Sequence, residues 1–144
     1  MLVRGRKMKC LACFAFLMLA VGPLRADPPI PVEPYVAAIG KDGVQRVRVV
    51  GGGYFFRPDR IVAKANVPVE LAVSLEEAGI VPHTFVLQMP DQGITIDEAM
   101  GAEIKLVRFT IGTPGKYPFY CRNQLLFFKS HRERGMEGIL EIVE

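Results

Sequence analysis

Residues 69–75 alternate without a break: Val69, Leu71, Val73 and Leu75 are apolar, and Glu70, Ala72 and Ser74 stand between them. A period of two marks a strand with one face turned to a core. Arg46 to Val49 repeats the pattern, and further β-rich runs cover Thr84 to Leu87, Ile104 to Ile111, Lys116 to Cys121 and Gly138 to Val143. Turn chemistry separates them at Gly51-Gly52-Gly53, Asn66-Val67-Pro68, Asp91-Gln92-Gly93 and Thr113-Pro114-Gly115. Only Thr95 to Met100 hints at a helical turn. Seven or so strands in about 100 residues predict an all-β fold, an antiparallel β-sandwich over residues 44–144. A chain of this size buries roughly two-thirds of its surface and needs no staple to fold.

The first 26 residues read differently. Arg4, Arg6, Lys7 and Lys9 precede an apolar stretch from Leu11 to Val21, and Leu24-Arg25-Ala26 supplies a cleavage site. This is the pattern of a secretory signal peptide, residues 1–26. The apolar stretch is about eleven residues, short of the roughly 20 that a spanning helix needs. Residues 27–43 follow as a proline-rich, extended leader carrying Pro28, Pro29, Pro31 and Pro34. An exported, periplasmic protein with no membrane span after cleavage is the expectation. The formal charge of +3 is concentrated at this start, because the 118 residues after Ala26 hold 13 basic and 15 acidic side chains. That slightly acidic body gives no electrostatic case for a nucleic-acid partner.

Export also sorts the cysteines. Cys10 and Cys13 leave with the signal peptide, so Cys121 is alone in a compartment where disulfides form. A lone cysteine is commonly a small hydrophobe, so its companions decide the reading. Cys121 closes the run Tyr117-Pro118-Phe119-Tyr120. His131 follows after nine intervening residues, and Met136 after four more, in Gly135-Met136-Glu137-Gly138. The other histidine, His83, opens a strand in Pro82-His83-Thr84-Phe85. Two imidazoles, one thiolate and one thioether are the donor set of a blue-copper electron-transfer centre. Soft thiolate suits Cu(I), imidazole also holds Cu(II), and a site that neither state strongly prefers changes little when an electron passes. Zinc could use the same side chains, although a thioether is a poor zinc ligand; a Cys–His nucleophilic dyad lacks an accompanying Asn or Asp motif.

These motifs resemble the cupredoxin family over about residues 44 to 144. The matching features are the His83-Thr84-Phe85 strand start, the aromatic-x-Cys strand end at Cys121, and the His131-x₄-Met136-x-Gly138 segment that leads into the last strand. The resemblance implies a Greek-key β-sandwich or barrel of about seven to eight strands. It implies one type 1 copper ion held by His83, Cys121, His131 and Met136, and a one-electron carrier rather than an enzyme. The nine-residue Cys-to-His loop is longer than in small plastocyanin- or azurin-like members. With both histidines committed to one ion, none remains for the second copper centre of nitrite reductases or multicopper oxidases.

That loop carries four consecutive apolar residues, Leu125 to Phe128, among Arg122, Lys129, Arg132 and Arg134. They either plug the end of the sandwich or form a docking face around an exposed edge of His131, with a basic rim for an acidic redox partner. The segment from Phe127 to Gly138 is similar to cupredoxins that accompany bacterial periplasmic ferrous-iron uptake systems. That likeness implies Fe(II) or an iron-binding protein as electron donor. Two other functions stay open: a periplasmic copper-binding carrier, and a metal-free interaction module. The acidic pairs Glu76-Glu77 and Asp97-Glu98 read as solvated loop charges.

Overall fold

A computed structural model describes residues 33–77 and 79–144. The expected signal peptide, its Cys10 and Cys13, and the leader prolines at 28, 29 and 31 lie outside the described residues. Among the described residues, ten strands form two sheets. The larger runs, in spatial order, through β1 (Tyr35–Val36), β4 (Arg60–Lys64), β10 (Glu137–Val143), β9 (Gly115–Tyr120), β6 (His83–Met89) and β7 (Ile94–Met100). The smaller runs through β3 (Phe55–Arg57), β2 (Gln45–Gly52), β5 (Val69–Leu75) and β8 (Lys105–Phe109). Two short 3-10 turns, Pro90–Gln92 and Arg132–Arg134, interrupt the strands. Among the described residues, no helix is long and apolar enough to cross a membrane.

The expected all-β sandwich is present, with three differences of detail. Its pairing is mixed rather than purely antiparallel: β1 with β4, β4 with β10, and β2 with β5 run parallel. Parallel neighbours are joined by crossovers rather than hairpins, and a period-two pattern carries no information about direction. Second, Thr95 to Met100 is not helical. It belongs to β7, which pairs with β6 along its whole length, and Ile94 and Ile96 pack against the core. The β-branched residues at its start favour that pleated surface and override the helical look of Asp97-Glu98-Ala99. Third, within the stretch read as a leader, Tyr35–Val36 pairs with Ile61–Val62, and Ala37 is buried in the core.

The core lies between the sheets. Val47, Val49, Leu71 and Val73 face Phe85, Leu87, Phe119 and Leu140, all of them buried. Phe56, Phe85 and Phe119 meet with ring centroids 5.4–5.9 Å apart, a spacing that adds to their burial. Gln45 is buried and takes the place of a backbone partner. Its Oε1 accepts from Lys64 N–H at 2.7 Å, and its Nε2 donates to the Lys64 carbonyl at 3.1 Å, tying β2 to β4.

The order β10–β9–β6 gathers three strand ends at one place. Both outer members are antiparallel to β9. The starts of β6 and β10 therefore meet the end of β9, at one end of the sandwich. His83 opens β6, Cys121 succeeds β9, and Met136 precedes β10. The remaining histidine, His131, sits at the head of the Arg132–Arg134 turn inside the loop between β9 and β10.

Candidate metal centre

The structure brings all four expected residues together. Nδ1 of His131 lies 3.1 Å from Nδ1 of His83 and 3.4 Å from Sγ of Cys121. Sγ of Cys121 lies 4.0 Å from Nδ1 of His83, and Met136 Sδ lies 3.0 Å from the same nitrogen. The separations among the first three atoms fix a point about 2 Å from each, the length of an ordinary metal–imidazole or metal–thiolate bond. Cys121 and Met136 are fully buried and His83 is half-buried. Two imidazoles, a thiol and a thioether turned toward one point inside a protein form a donor set that suits copper better than a hard, oxygen-seeking cation.

Local folding explains the convergence. Cys121 N–H donates to the Met136 carbonyl at 3.0 Å, closing the β9–β10 loop at its base, and Met136 N–H donates to the His131 carbonyl at 2.9 Å. Gly135, with φ of 103°, makes the left-handed reversal between His131 and Met136 that a side chain would resist. Asn123 braces the other half of the loop, its carbonyl accepting from His131 N–H at 2.9 Å.

Thr84 links this loop to β6. Its backbone N–H points at Cys121 Sγ at 3.3 Å. Its hydroxyl donates to Asn123 Oδ1 at 2.9 Å and accepts from Arg122 N–H at 3.1 Å. Partners of this kind hold the residues that carry donor atoms in place. Asn123 is not among the expected site residues, yet its side-chain oxygen lies 3.4 Å from the thiol. That side chain touches sulfur and Thr84 rather than orienting an imidazole, so Asn123 does not supply the third member of a Cys–His nucleophilic system.

Electrostatics favour neutral rings. Burial lowers the pKa of His83 below the ordinary imidazole range, and the neighbouring His131 lowers it further. Burial likewise lowers that of His131, with the Arg134 guanidinium adding to the effect. Neutral imidazoles keep a lone pair free for a cation at neutral pH.

Two expectations about the surface resolve differently. Leu125 to Phe128 do not plug the sandwich. All four are exposed, Phe127 to 85%. Ile80 and Val81 are exposed too, Val81 lines a cleft with Leu125 and Phe128, and a cleft of about 230 Å³ between Ile80–Pro82 and Asn123–Leu125 reaches His131. His131 itself is buried, with only 4% of the residue accessible. Tyr54, in the turn between β2 and β3, lies edge-on to it with ring centroids 5.0 Å apart, and 6.4 Å from His83. Nothing in sequence spacing connects that turn to the loop; the Gly52-Gly53 pair before Tyr54 signals only an unusual backbone. The acidic pairs divide. Glu76 and Glu77 are exposed, whereas Asp97 and Glu98 stand on β7 rather than in a loop and pair with Arg122 and Lys105.

Comparison with known proteins bears on the fold. No protein-family model matches the sequence, and no curated protein matches it. Solved structures do match. The metal-binding domain of the Cu(I)-exporting P-type ATPase CopA of Streptococcus pneumoniae D39, solved with Cu(I), is 20% identical over 78% of this chain and 97% of that one, with a TM-score of 0.58. A copper-binding protein solved in its apo form is 23% identical over 77% of this chain and 98% of that one, with a TM-score of 0.56. Auracyanin A, a "blue" copper protein from Chloroflexus aurantiacus, is 17% identical over 70% of this chain and all of that one, with a TM-score of 0.53. At these identities the likeness speaks to architecture, and the architecture is the cupredoxin fold.

Proposed function

We propose that this protein is an exported one-electron carrier that holds a single copper ion between His83, Cys121 and His131, with Met136 as a weaker fourth donor. The observation that carries the reading is the meeting of three donor atoms around a point about 2 Å from each. A copper ion there would supply a Cu(II)/Cu(I) couple whose two states accept the same soft and intermediate ligands. The chain's own contribution is rigidity. Cys121 and Met136 sit on the ends of paired strands, His83 opens a third, and hydrogen bonds from Thr84, Asn123 and Met136 hold the loop between them. Because the donor residues stay in place, little reorganisation accompanies electron transfer.

Exposed Leu125 to Phe128, with Ile80 and Val81, are the surface through which a redox partner docks. Exposed apolar residues on two adjacent segments, beside the donor atoms, are more than scattered surface hydrophobes. Lys129 and Arg134 flank His131 at its edge, which suits a partner with an apolar centre and an acidic rim. Fe(II), free or on an iron-binding protein, is the proposed donor: it gives up one electron to leave Fe(III), and the site is reduced by one. Voltammetry of the copper-loaded protein should show one reversible one-electron couple, and Fe(II) should bleach the oxidised form. A loaded protein that Fe(II) does not reduce, with or without an iron-binding partner, removes the iron step and leaves the carrier reading to voltammetry.

A second reading, a carrier that hands its copper on, draws support from the structural likeness to a domain of a copper exporter. The burial of Cys121 and Met136 weighs against it, because hand-over needs an approaching ligand to reach the donors. Competition with a chelator separates the two: an electron carrier keeps its ion through repeated redox cycles.

A further inference from the structure

Tyr54 holds a backbone conformation that its side chain disfavours. Its φ is 68°, in the left-handed region where glycine and asparagine are at ease and a bulky residue is strained. The preceding Gly52-Gly53 pair shows that glycine was within easy reach of this turn. The ring compensates for its backbone by where it lies: edge-on to His131 at 5.0 Å and near His83 at 6.4 Å. The Arg134 guanidinium lies over the same ring, 4.7 Å from its centroid. Tyr54 also stands on the wall between two clefts. One, of about 280 Å³, runs along Gly53, Glu76, Glu77 and His83; the other, of about 60 Å³, runs along Leu125, Phe128 and Lys129 to His131. The ring in that place separates the two grooves beside His131.

We infer that Tyr54, clamped by Arg134, is an access-controlling residue that shields from water and small anions the side of the His131 imidazole against which it packs. The inference deepens the copper reading and rests on it for its purpose, but the shielding itself is a property of the polypeptide. In a one-electron carrier the benefit is chemical. A small ligand that reached the ion would change its coordination in one oxidation state and slow the exchange of electrons.

The test has a metal-free and a metal-loaded arm. Tyr54→Gly removes the ring and relaxes the backbone, so a fold defect is not its expected consequence; Tyr54→Phe keeps the ring and drops the hydroxyl. In the metal-free protein, carbethoxylation of His131 by diethyl pyrocarbonate, followed by peptide mass spectrometry, should run about tenfold faster in Tyr54→Gly than in wild type, with Tyr54→Phe unchanged. In the copper-loaded protein, azide should perturb the visible spectrum of Tyr54→Gly and leave wild type and Tyr54→Phe alone. Equal His131 reactivity in Tyr54→Gly and wild type, with matching circular dichroism, overturns the inference. If the glycine variant does not fold, Tyr54→Asn, which also tolerates this φ, decides by the same measurement. Faster carbethoxylation in a protein that binds no copper would keep the shield and remove the copper reading; a normal copper spectrum with unchanged carbethoxylation would do the reverse.

Discussion

The backbone N–H of Thr84 donates to Sγ of Cys121 at 3.3 Å, so the residue beside His83 also holds the thiol that follows the neighbouring strand. The same residue's hydroxyl accepts from Arg122 N–H and donates to Asn123. One threonine thereby fixes the relative position of two donor residues and the start of the loop that carries a third.

Thr84→Val separates these roles. The amide that faces sulfur stays, while Arg122 N–H loses its acceptor and Asn123 its donor. Leaving such groups without partners costs about 1–3 kcal/mol. Urea denaturation of the metal-free protein should show a loss in that range, and the copper-bound spectrum should keep its thiolate band.

Met136 is fully buried and packs against Gly51 with its terminal methyl. Met136→Leu conserves volume and should cost less than about 1.5 kcal/mol, whereas Met136→Ala leaves a cavity and should cost about 2–5 kcal/mol. If Met136 is also an axial donor, the leucine variant should fold almost normally yet show an altered reduction potential and visible spectrum. A leucine variant indistinguishable from wild type in both would leave Met136 a packing residue.

Acid should weaken the metal-free protein in two windows. His83 and His131 have folded pKa values below the ordinary imidazole value of about 6.5, so the unfolded chain takes up protons first. Their contribution is whole above about pH 6.5 and is lost as pH falls through the folded values. Glu70, held below the usual carboxylate range first by Arg108 and then by Arg46, contributes with the same sign below about pH 4.5. Melting temperature should therefore decline from pH 7 downward, and Glu70→Gln should flatten only the lower limb. A melting temperature that climbs between pH 7 and 5.5 contradicts the upper window.

The exposed loop offers a substitution that spares the fold. Phe127→Ser lies at the surface and should change stability by no more than about 0.5 kcal/mol. The rate of electron exchange with a protein partner should fall severalfold, while reduction by a small inorganic reductant stays as in wild type. Equal losses with both reductants would move the effect from docking to the site itself.

Much of this is legible in the chain. Val69 to Leu75 reads as a strand because every second side chain is apolar, and β5 is that strand. The four donors can be singled out because Cys121 is the one cysteine after the apolar start, and because the only two histidines and Met136 fall at spacings that chemistry recognises. What stays hidden needs the third dimension. The short β1 and β3 are too brief to display a period, and parallel pairing leaves no mark on alternation. An exposed edge on His131 is a reasonable expectation from its loop alone. The ring that packs against this imidazole comes from a turn of the opposite sheet, and only the packing of the two sheets brings Tyr54 beside it. The exposure of Leu125 to Phe128 is the reverse case: four apolar residues look like core by composition, and their loop carries them outward instead.

The most direct measurement is a titration of the purified, metal-free protein with Cu(II), monitored by visible absorption and electron paramagnetic resonance, on wild type and Cys121→Ser side by side. Binding should saturate at one ion per chain, with an intense thiolate-to-copper charge-transfer band that Cys121→Ser abolishes. A wild-type protein that stays colourless, or a band that survives loss of the thiol, would overturn the copper centre.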